Sequence, residues 1–353
     1  MNLDATLQRL WYDRRPGWLL VLLLPLSLLF AAIAAGRRAG YRIGLFPVKR
    51  VSRPVIVVGN ISVGGTGKTP LVMWIAQLLQ ARGRKVGIVT RGYGGSSNRW
   101  PLEVTADVTA AEVGDEPAMM AARTGAIVVA GPDRVAAAEL AIGRGADVIL
   151  SDDGLQHYRL HRDGEIAVID AQRGLGNGWL LPAGPLREPA SRLDRVDVLV
   201  STQRVEGAAP ESTDGSSSGW PAKLESVVAT MRLREAISLA DGEHRELTAF
   251  RGQPLHAVAA IGNPNAFFTA LQRLSLQVIA HPLPDHAKLT LADIVFDDAA
   301  PVLMTEKDAV KCRGFAQSRH WAVRMDLDLN DAAVAKMTAV VEQSLQRFAQ
   351  HVS

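Results

Sequence analysis

Cysteine occurs once among the 353 residues, as Cys312, so an intrachain disulfide is excluded and a zinc cluster lacks partner thiols. The globular part therefore suits a reducing cytosol. Aromatic residues make up only 5% of the chain, and there is no internal repeat. A strong excess of one charge is missing too, since the formal net charge is +3. What is present in quantity is apolar: 48% of residues are hydrophobic and 21% charged. Such a chain buries a sizeable core, which excludes global disorder and leaves room for about two domains.

The small net charge conceals an asymmetry. Residues 1–53 carry nine Lys/Arg and two Asp, a net of +7, so the remaining 300 sum to −4. A nucleic-acid binder would carry its basic stripe on the folded body, so no nucleic-acid partner is expected. A basic tip instead suits an anionic surface. Within that tip, Pro16–Gly36 runs for 21 residues without a charge, enough to span a bilayer core as a helix. Trp11, Tyr12, Trp18 and Tyr41 flank it as interfacial aromatics do. A cleaved signal peptide and a buried core helix are the competing readings. The uncleaved anchor is preferred, because the nucleotide motifs that follow need cytosolic ATP. Arg37, Arg38, Arg42, Lys49, Arg50 and Arg53 place the following body on the cytoplasmic side. Pro25 and basic residues at both ends leave open a spanning or a single-leaflet helix.

Beyond residue 53 the pattern alternates between short β-branched runs and helical stretches. Strands are expected at Val55–Gly59, Val86–Thr90, Ala126–Ala130, Asp147–Ser151, Glu165–Asp170 and Val196–Ser201. Residues 205–221 are Gly/Ser/Pro-rich and read as a loop or linker. Segments 225–232 and 245–250 read as strands leading to a second lobe. There, strands are expected at His256–Ile261, Gln277–His281 and Val302–Thr305, and helices at Asn265–Leu274, Leu291–Asp298 and about 330–350. The fold class is α/β, with a P-loop NTPase-like parallel sheet core, a second smaller α/β lobe and an N-terminal membrane-associated helix. The divisions are 1–53 for the anchor and its basic flank, 54–222 for the first, core lobe, and 223–353 for ribbon and second lobe.

GNISVGGTGKTP (59–70) follows a strand and opens a helix, the context a phosphate loop requires. Backbone N–H groups of Ser62, Val63, Gly64, Gly65, Thr66 and Gly67 can wrap phosphate. Lys68 reaches the β- and γ-phosphates of ATP, and Thr69 ligates Mg²⁺. Ser62 stands where the general motif has glycine. Downstream, VILSDDGLQH ends a strand with Asp152 and Asp153, either of which can hold Mg²⁺ directly or through water. A phosphate loop identifies only a bound nucleotide.

Nine blocks in order resemble the tetraacyldisaccharide 4'-kinase family: GNISVGGTGKTP (59–70), TRGYGG (90–95), VGDEP (113–117), GPDR (131–134), SDDGLQH (151–157), LLPAGPLREP (180–189), AAIGNP (259–264), LPDHAKLT (283–290) and MTEKDAVK (304–311). They cover nearly the whole chain. The resemblance implies transfer of the ATP γ-phosphate to the 4'-hydroxyl of tetraacyldisaccharide 1-phosphate, giving lipid IVA in lipid A biosynthesis. It implies the cytoplasmic face of the inner membrane and two α/β lobes joined by a β-ribbon. It also makes Ser62 an ordinary residue at its position. An acceptor with four acyl chains requires a kinase at the bilayer, and no obligate protein partner is evident.

Site roles follow from the same resemblance. Read alone, Asp115 in VGDEP is a helix cap; the resemblance makes it the base that accepts the hydroxyl proton. His286 becomes its orienting partner, brought across by lobe closure. Arg91, Tyr93 and Arg134 are candidates for ATP phosphates or the lipid 1-phosphate. Gln156 and His157 fall near the phosphate path. Glu188 is either a further Mg²⁺ ligand or a helix-start glutamate. Asp308 is either an adenine acceptor or part of a turn.

Two other classes compete. One is a membrane-associated P-loop ATPase that switches a protein partner; it would need no Asp115/His286 device. The other is a kinase for a soluble metabolite, which would need no anchor.

Overall fold

The computed structural model describes residues 3–12, 18–204 and 226–352. The Gly/Ser/Pro-rich stretch 205–221 and the first two residues of the apolar run lie outside them. Two helices open the chain, α1 (Leu3–Tyr12) and α2 (Trp18–Arg42). The latter has a mean hydropathy of 2.6 over its best window and leaves nearly all of that window uncovered by protein. Leu22, Leu26, Leu29 and Ile33 are exposed on it. Its few anchors to the body are specific. Ser27 Oγ donates to Leu180 O at 2.7 Å, and Trp11 Nε1 on α1 donates to Pro182 O at 3.0 Å.

The body then alternates as the sequence pattern requires. In chain order come β1 (Val55–Gly59), α3 (Lys68–Gln80), β2 (Val86–Thr90), β3 (Leu102–Glu103), α4 (Ala110–Val113), α5 (Asp115–Thr124), β4 (Ile127–Ala130), α6 (Arg134–Gly143), β5 (Val148–Asp152), β6 (Gly164–Asp170) and β7 (Val198–Arg204). After the undescribed stretch come β8 (Ser226–Ser238), β9 (His244–Glu246), β10 (Pro254–Ala259), α7 (Pro264–Arg273), β11 (Gln277–Pro282), β12 (Val302–Thr305), α8 (Glu306–Cys312), β13 (His320–Asp328) and α9 (Asp331–Val352).

Among the described residues, thirteen strands join one sheet, in the order β11-β10-β12-β13-β8-β7-β6-β1-β5-β2-β4-β3, with β9 against β8. The β1, β2, β4, β5, β6 and β7 pairings are parallel, and so are those among β10, β11, β12 and β13. The central strands β1, β2 and β5 are buried on both faces, which is why they read as continuous apolar runs, whereas β11 at the edge is largely exposed. The long β8 is the join. Its start runs parallel to β7 and the rest runs antiparallel to β13, with Thr230 and Met231 paired to both.

Each half of the sheet has a core on both faces. In the first half, α3 buries Leu71, Val72, Ile75 and Leu79 on one face, and α6 buries Val135, Ala138 and Ala141 on the other. Filling a site such as Leu79 is worth roughly 2–5 kcal/mol relative to alanine. In the second half, α7 covers one face with Phe267, Phe268 and Leu271, and α8 covers the other with Ala309 and Cys312. The C-terminal α9 returns to the first half, where Met337, Val340 and Val341 join Ile56 and Val58.

Two readings need correction. The helix expected at Leu291–Asp298 is a 3-10 turn at Leu291–Asp293. Beyond it, Arg319 takes the carbonyl oxygens of Phe296 and Asp298, and the Asp298 side chain accepts from His256 at 3.0 Å. Those bonds compete with helix continuation. The strand expected at 245–250 ends at Glu246, because Leu247–Phe250 turns as a 3-10 helix to bury Leu247 and Phe250; and beyond Val302–Thr305, the end of the expected strands, α8 and β13 follow.

Candidate active site

The phosphate loop hangs between β1 and α3. Gly59, at the end of β1, lies so close to Leu155 that a Cβ would meet its Cγ at 2.7 Å. Asn60 Nδ2 closes the loop on Thr66 Oγ1 at 3.1 Å, and Thr202 Oγ1 donates to Thr66 O at 2.9 Å. Val63 N–H donates to Pro185 O at 2.9 Å, and Ser62 bridges to Leu186. Gly64 has φ +110° and Gly67 φ +79°, values that disfavour a side chain. Gly67 caps α3 without any side-chain hydrogen bond, leaving the first-turn N–H groups for an anion. Gly65 sits in the same turn with open space beside it.

The two acids at the end of β5 have opposite environments. Asp153 has φ +49° and faces outward. Burial works to raise its carboxyl, but Arg187, Lys68 and Arg134 together hold it well below the usual carboxylate range. Lys68 Nζ lies 3.5 Å from Asp153 Oδ1. Asp152 is buried, and burial together with the nearby Glu116 charge pushes its carboxyl up to about 7, against the pull of Lys68. Its Oδ1 is buried without a hydrogen-bond partner.

Arg134 lies under these acids, donating to Gly131 O at 2.6 Å and to Asp152 O at 3.4 Å. Burial brings its guanidinium down to about 10, with Asp152 and Asp153 opposing. His157 is brought down to about 4 by burial and Arg134, so its imidazole is neutral at pH 7. Arg91, exposed at the end of β2, adds positive field at both Arg134 and His157. Gln156 Nε2 donates to Asn60 O at 3.0 Å, which leaves Oε1 buried and unpaired.

A second cluster borders the first. Asp115 opens α5, but Gly114 is the cap, so the capping role read from the sequence falls to the glycine backbone. Asp115 Oδ2 accepts from His286 Nδ1 at 3.1 Å and stands 3.1 Å from Lys311 Nζ. The expected Asp115–His286 contact is therefore made across 171 positions of sequence. Tyr93, 71% exposed, presents its ring edge-on to His286 at 5.6 Å. Glu116 links the clusters: it pairs with Lys307 and lies in the field of Lys68 and Asp153.

Two expected residues are placed elsewhere. Asp308 is fully buried and accepts from Ala260 N–H at 3.0 Å, Thr305 Oγ1 at 2.7 Å and Lys311 Nζ at 3.1 Å. Its oxygens are committed inside the protein and are not presented to a base, which corrects the adenine reading. Glu188 Oε2 accepts from the Tyr158 hydroxyl at 2.5 Å, with Arg38 and Arg192 each 3.6 Å away. It does not gather with Asp152 and Asp153: among the described residues no three Asp, Glu, His or Cys side chains converge on one point. Its Oε1 is nonetheless buried and unpaired.

Sequence reasoning passed over Asn60, Glu116, Arg187, Lys307 and Lys311. All five sit inside the motif blocks, GNISVGGTGKTP, VGDEP, LLPAGPLREP and MTEKDAVK, so position in a block is the available signal.

A family model described as Tetraacyldisaccharide-1-P 4'-kinase matches residues 19–343. The chain belongs to the tetraacyldisaccharide 4'-kinase family. A relative from Alkalilimnicola ehrlichii named Tetraacyldisaccharide 4'-kinase is 50% identical over 317 residues, 90% of this chain and 91% of its own length. The relative of that name from Pseudomonas aeruginosa is 45% identical over 349 residues, 98% and 100% of the two chains. Among solved structures, LpxK from Aquifex aeolicus in complex with ATP superposes with a TM-score of 0.78 at 29% identity, covering 93% of this chain and 99% of its own. As a tetraacyldisaccharide 4'-kinase family member the chain is a kinase with a P-loop α/β fold, and the switch-ATPase alternative is not favoured.

Proposed function

We propose that this protein transfers the γ-phosphate of ATP to the 4'-hydroxyl of tetraacyldisaccharide 1-phosphate, forming lipid IVA, at the cytoplasmic face of the inner membrane. The observation that carries the reading is the Asp115–His286 pair beside a complete phosphate loop. A nucleotide switch needs the loop; only transfer to a hydroxyl needs the pair.

The proposed roles follow from placement. The loop from Ser62 to Gly67 and the first turn of α3 wrap the phosphates. Lys68 moves from Asp153 to the β- and γ-phosphates. Arg91, Arg134 and Gln156 line the phosphate path, with Tyr93 at its rim and neutral His157 as a polar neighbour. As the 4'-hydroxyl oxygen bonds to the γ-phosphorus, the bond from that phosphorus to the bridging oxygen breaks and ADP leaves. The hydroxyl proton passes to Asp115, which His286 orients.

Magnesium fits the residues present. Thr69 lies in the first turn of α3, Asp153 is ionised, and Asp152 and Glu188 each keep a buried oxygen without a partner. Thr69 and Asp153 would hold the ion, with Asp152 behind them; Glu188 reaches it only if its Tyr158 bond gives way. When bound, the ion neutralises charge between the β- and γ-phosphate oxygens.

The lobes are read as 54–222 and 223–353, with β8 as the ribbon between them and residues 1–53 as the membrane element. The apolar exposed face of α2 and the basic residues from its last turns to Arg53 support placement at an anionic bilayer.

The test is transfer of labelled γ-phosphate from ATP to purified tetraacyldisaccharide 1-phosphate in detergent. Labelled lipid from the wild type and none from Asp115→Ala supports the reaction and the base. Steady release of inorganic phosphate with no labelled lipid overturns the reading.

A further inference from the structure

Asp115 has two partners on the same oxygen, and only one of them is His286. Lys311 Nζ stands 3.1 Å from Asp115 Oδ2, the atom that also accepts from His286 Nδ1 at 3.1 Å. The lysine is held as tightly as the histidine. Only 9% of its side chain is exposed, and Asp308, one turn earlier on α8, binds it at 3.1 Å. Asp308 is pinned in turn by the Ala260 N–H and the Thr305 hydroxyl. The His286 N–H donates to the carbonyl oxygen of that same Ala260 at 3.1 Å. Both donors to Asp115 thus hang from one backbone residue just beyond the end of β10, one through α8 and one through the loop after β11.

We propose that Lys311 is a positioning residue for phosphoryl transfer: it locks Asp115 Oδ2, leaving Oδ1 to receive the acceptor hydroxyl proton. This rests on the reading of Asp115 as the base. A carboxylate held through one oxygen by two donors loses its rotational freedom. The other charged groups facing the pair do not replace Lys311. Lys307 is committed to Glu116, and Asp285 is an acid that stands 3.7 Å from His286 Nε2. The arrangement also couples chemistry to lobe arrangement, since α5 belongs to the first half of the sheet and α8 to the second.

The experiment compares Lys311→Met, Lys311→Arg and Asp115→Ala in single-turnover transfer of labelled phosphate to tetraacyldisaccharide 1-phosphate across a range of pH. ATP binding and thermal melting are measured on each. Lys311→Met is expected to slow transfer about a hundredfold with ATP affinity unchanged. The acid limb of its pH profile should move upward as that fixed positive charge is lost. Lys311→Arg should recover most of the rate and the original profile. If Lys311→Met melts early because Asp308 has lost its counter-charge, the pair Asp308→Asn with Lys311→Met restores the fold, and the same shift is then read there. A wild-type rate and profile in a folded Lys311→Met protein, with Asp115→Ala inactive, overturns the role of Lys311 and leaves the base in place. Full transfer by Asp115→Ala removes the base and this proposal together.

Discussion

Arg187 grips Asp153 through both nitrogens, Nη1 to Oδ2 at 2.9 Å and Nη2 to Oδ1 at 2.7 Å, and Lys68 Nζ stands 3.5 Å from that same Oδ1. The phosphate-binding lysine is thereby parked on an acid that already has a stronger partner. Arg187 also donates to Asn60 O at 3.1 Å, so one side chain fixes the start of the phosphate loop and its acid together. Removing Arg187 leaves Lys68 as the main counter-charge of Asp153 and pulls it away from phosphate. A charge-assisted contact is worth roughly 1.5–3 kcal/mol, and partial exposure places this one at the lower end, so Arg187→Ala should weaken ATP binding about tenfold. Equilibrium binding of ATP checks this, and an unchanged affinity would show that Lys68 moves independently of Arg187.

Lys68→Ala tests the loop more directly. Gly67 places Lys68 at the first position of α3, so the variant keeps the helix and loses only the charge. Removing one such stabiliser of transition-state charge costs a factor of about 10²–10³ in kcat. The measurement is labelled transfer at saturating ATP. A loss of less than a few-fold would take Lys68 out of the chemistry.

Legibility in the sequence depended on distance along the chain. β1, the phosphate loop and α3 are contiguous, and each is specified by its own residues: a β-branched run, glycines at positive φ, then an apolar face at helical spacing. α8 was missed because Glu306–Cys312 has little periodicity of its own. It is set by the Thr305 hydroxyl accepting from Asp308 N–H and by α5, whose Arg123 and Glu116 hold Glu306 and Lys307. β13 was missed for a related reason. Its charged residues Arg324, Asp326 and Asp328 look like a solvated loop until β8 supplies Glu235, Arg232 and Arg234 opposite them. The Asp115 site carries the same lesson. Its acid is one letter in a helix start, and its chemistry comes from residues that only the closed sheet brings near.

The Glu116–Lys307 pair gives a pH dependence whose sign can be worked out. Burial works to raise the Glu116 carboxyl, but Lys307 and Lys68 outweigh it and hold it below its usual 4.5. Burial works to lower the Lys307 ammonium, but Glu116 outweighs it and holds it above its usual 10.5. The carboxylate contribution is complete above 4.5 and disappears as pH falls through the lower folded value. The ammonium contribution is complete below 10.5 and disappears as pH rises through the higher one. About a third of each side chain is exposed, so the pair contributes on the order of 1 kcal/mol. Glu116→Gln should therefore lower the melting temperature at pH 7 by a few degrees and flatten its fall between pH 5 and pH 3. An identical acid limb in wild type and variant would remove the pair from the account of stability.

Membrane attachment should separate from catalysis. Deleting residues 1–36 would remove α2 and also the Trp11 and Ser27 bonds to Pro182 and Leu180, so loss of activity in that variant would be ambiguous. A single change on the exposed face avoids this. Leu29 is 58% exposed on α2 and makes none of those bonds. Leu29→Asp puts a charge near the middle of the apolar helix, at a cost to insertion of roughly 3–4 kcal/mol. That corresponds to a loss of more than a hundredfold in partitioning. In vesicle flotation with anionic lipid, the variant should move largely to the soluble fraction, the basic residues from Arg37 to Arg53 retaining some. With acceptor dispersed in detergent, its transfer rate should match the wild type, because α2 meets the site through Arg37 and Arg38 near its end, which this variant keeps. Retention on vesicles would show that another surface carries the attachment. Loss of transfer in detergent would show that α2 takes part in holding the lipid acceptor.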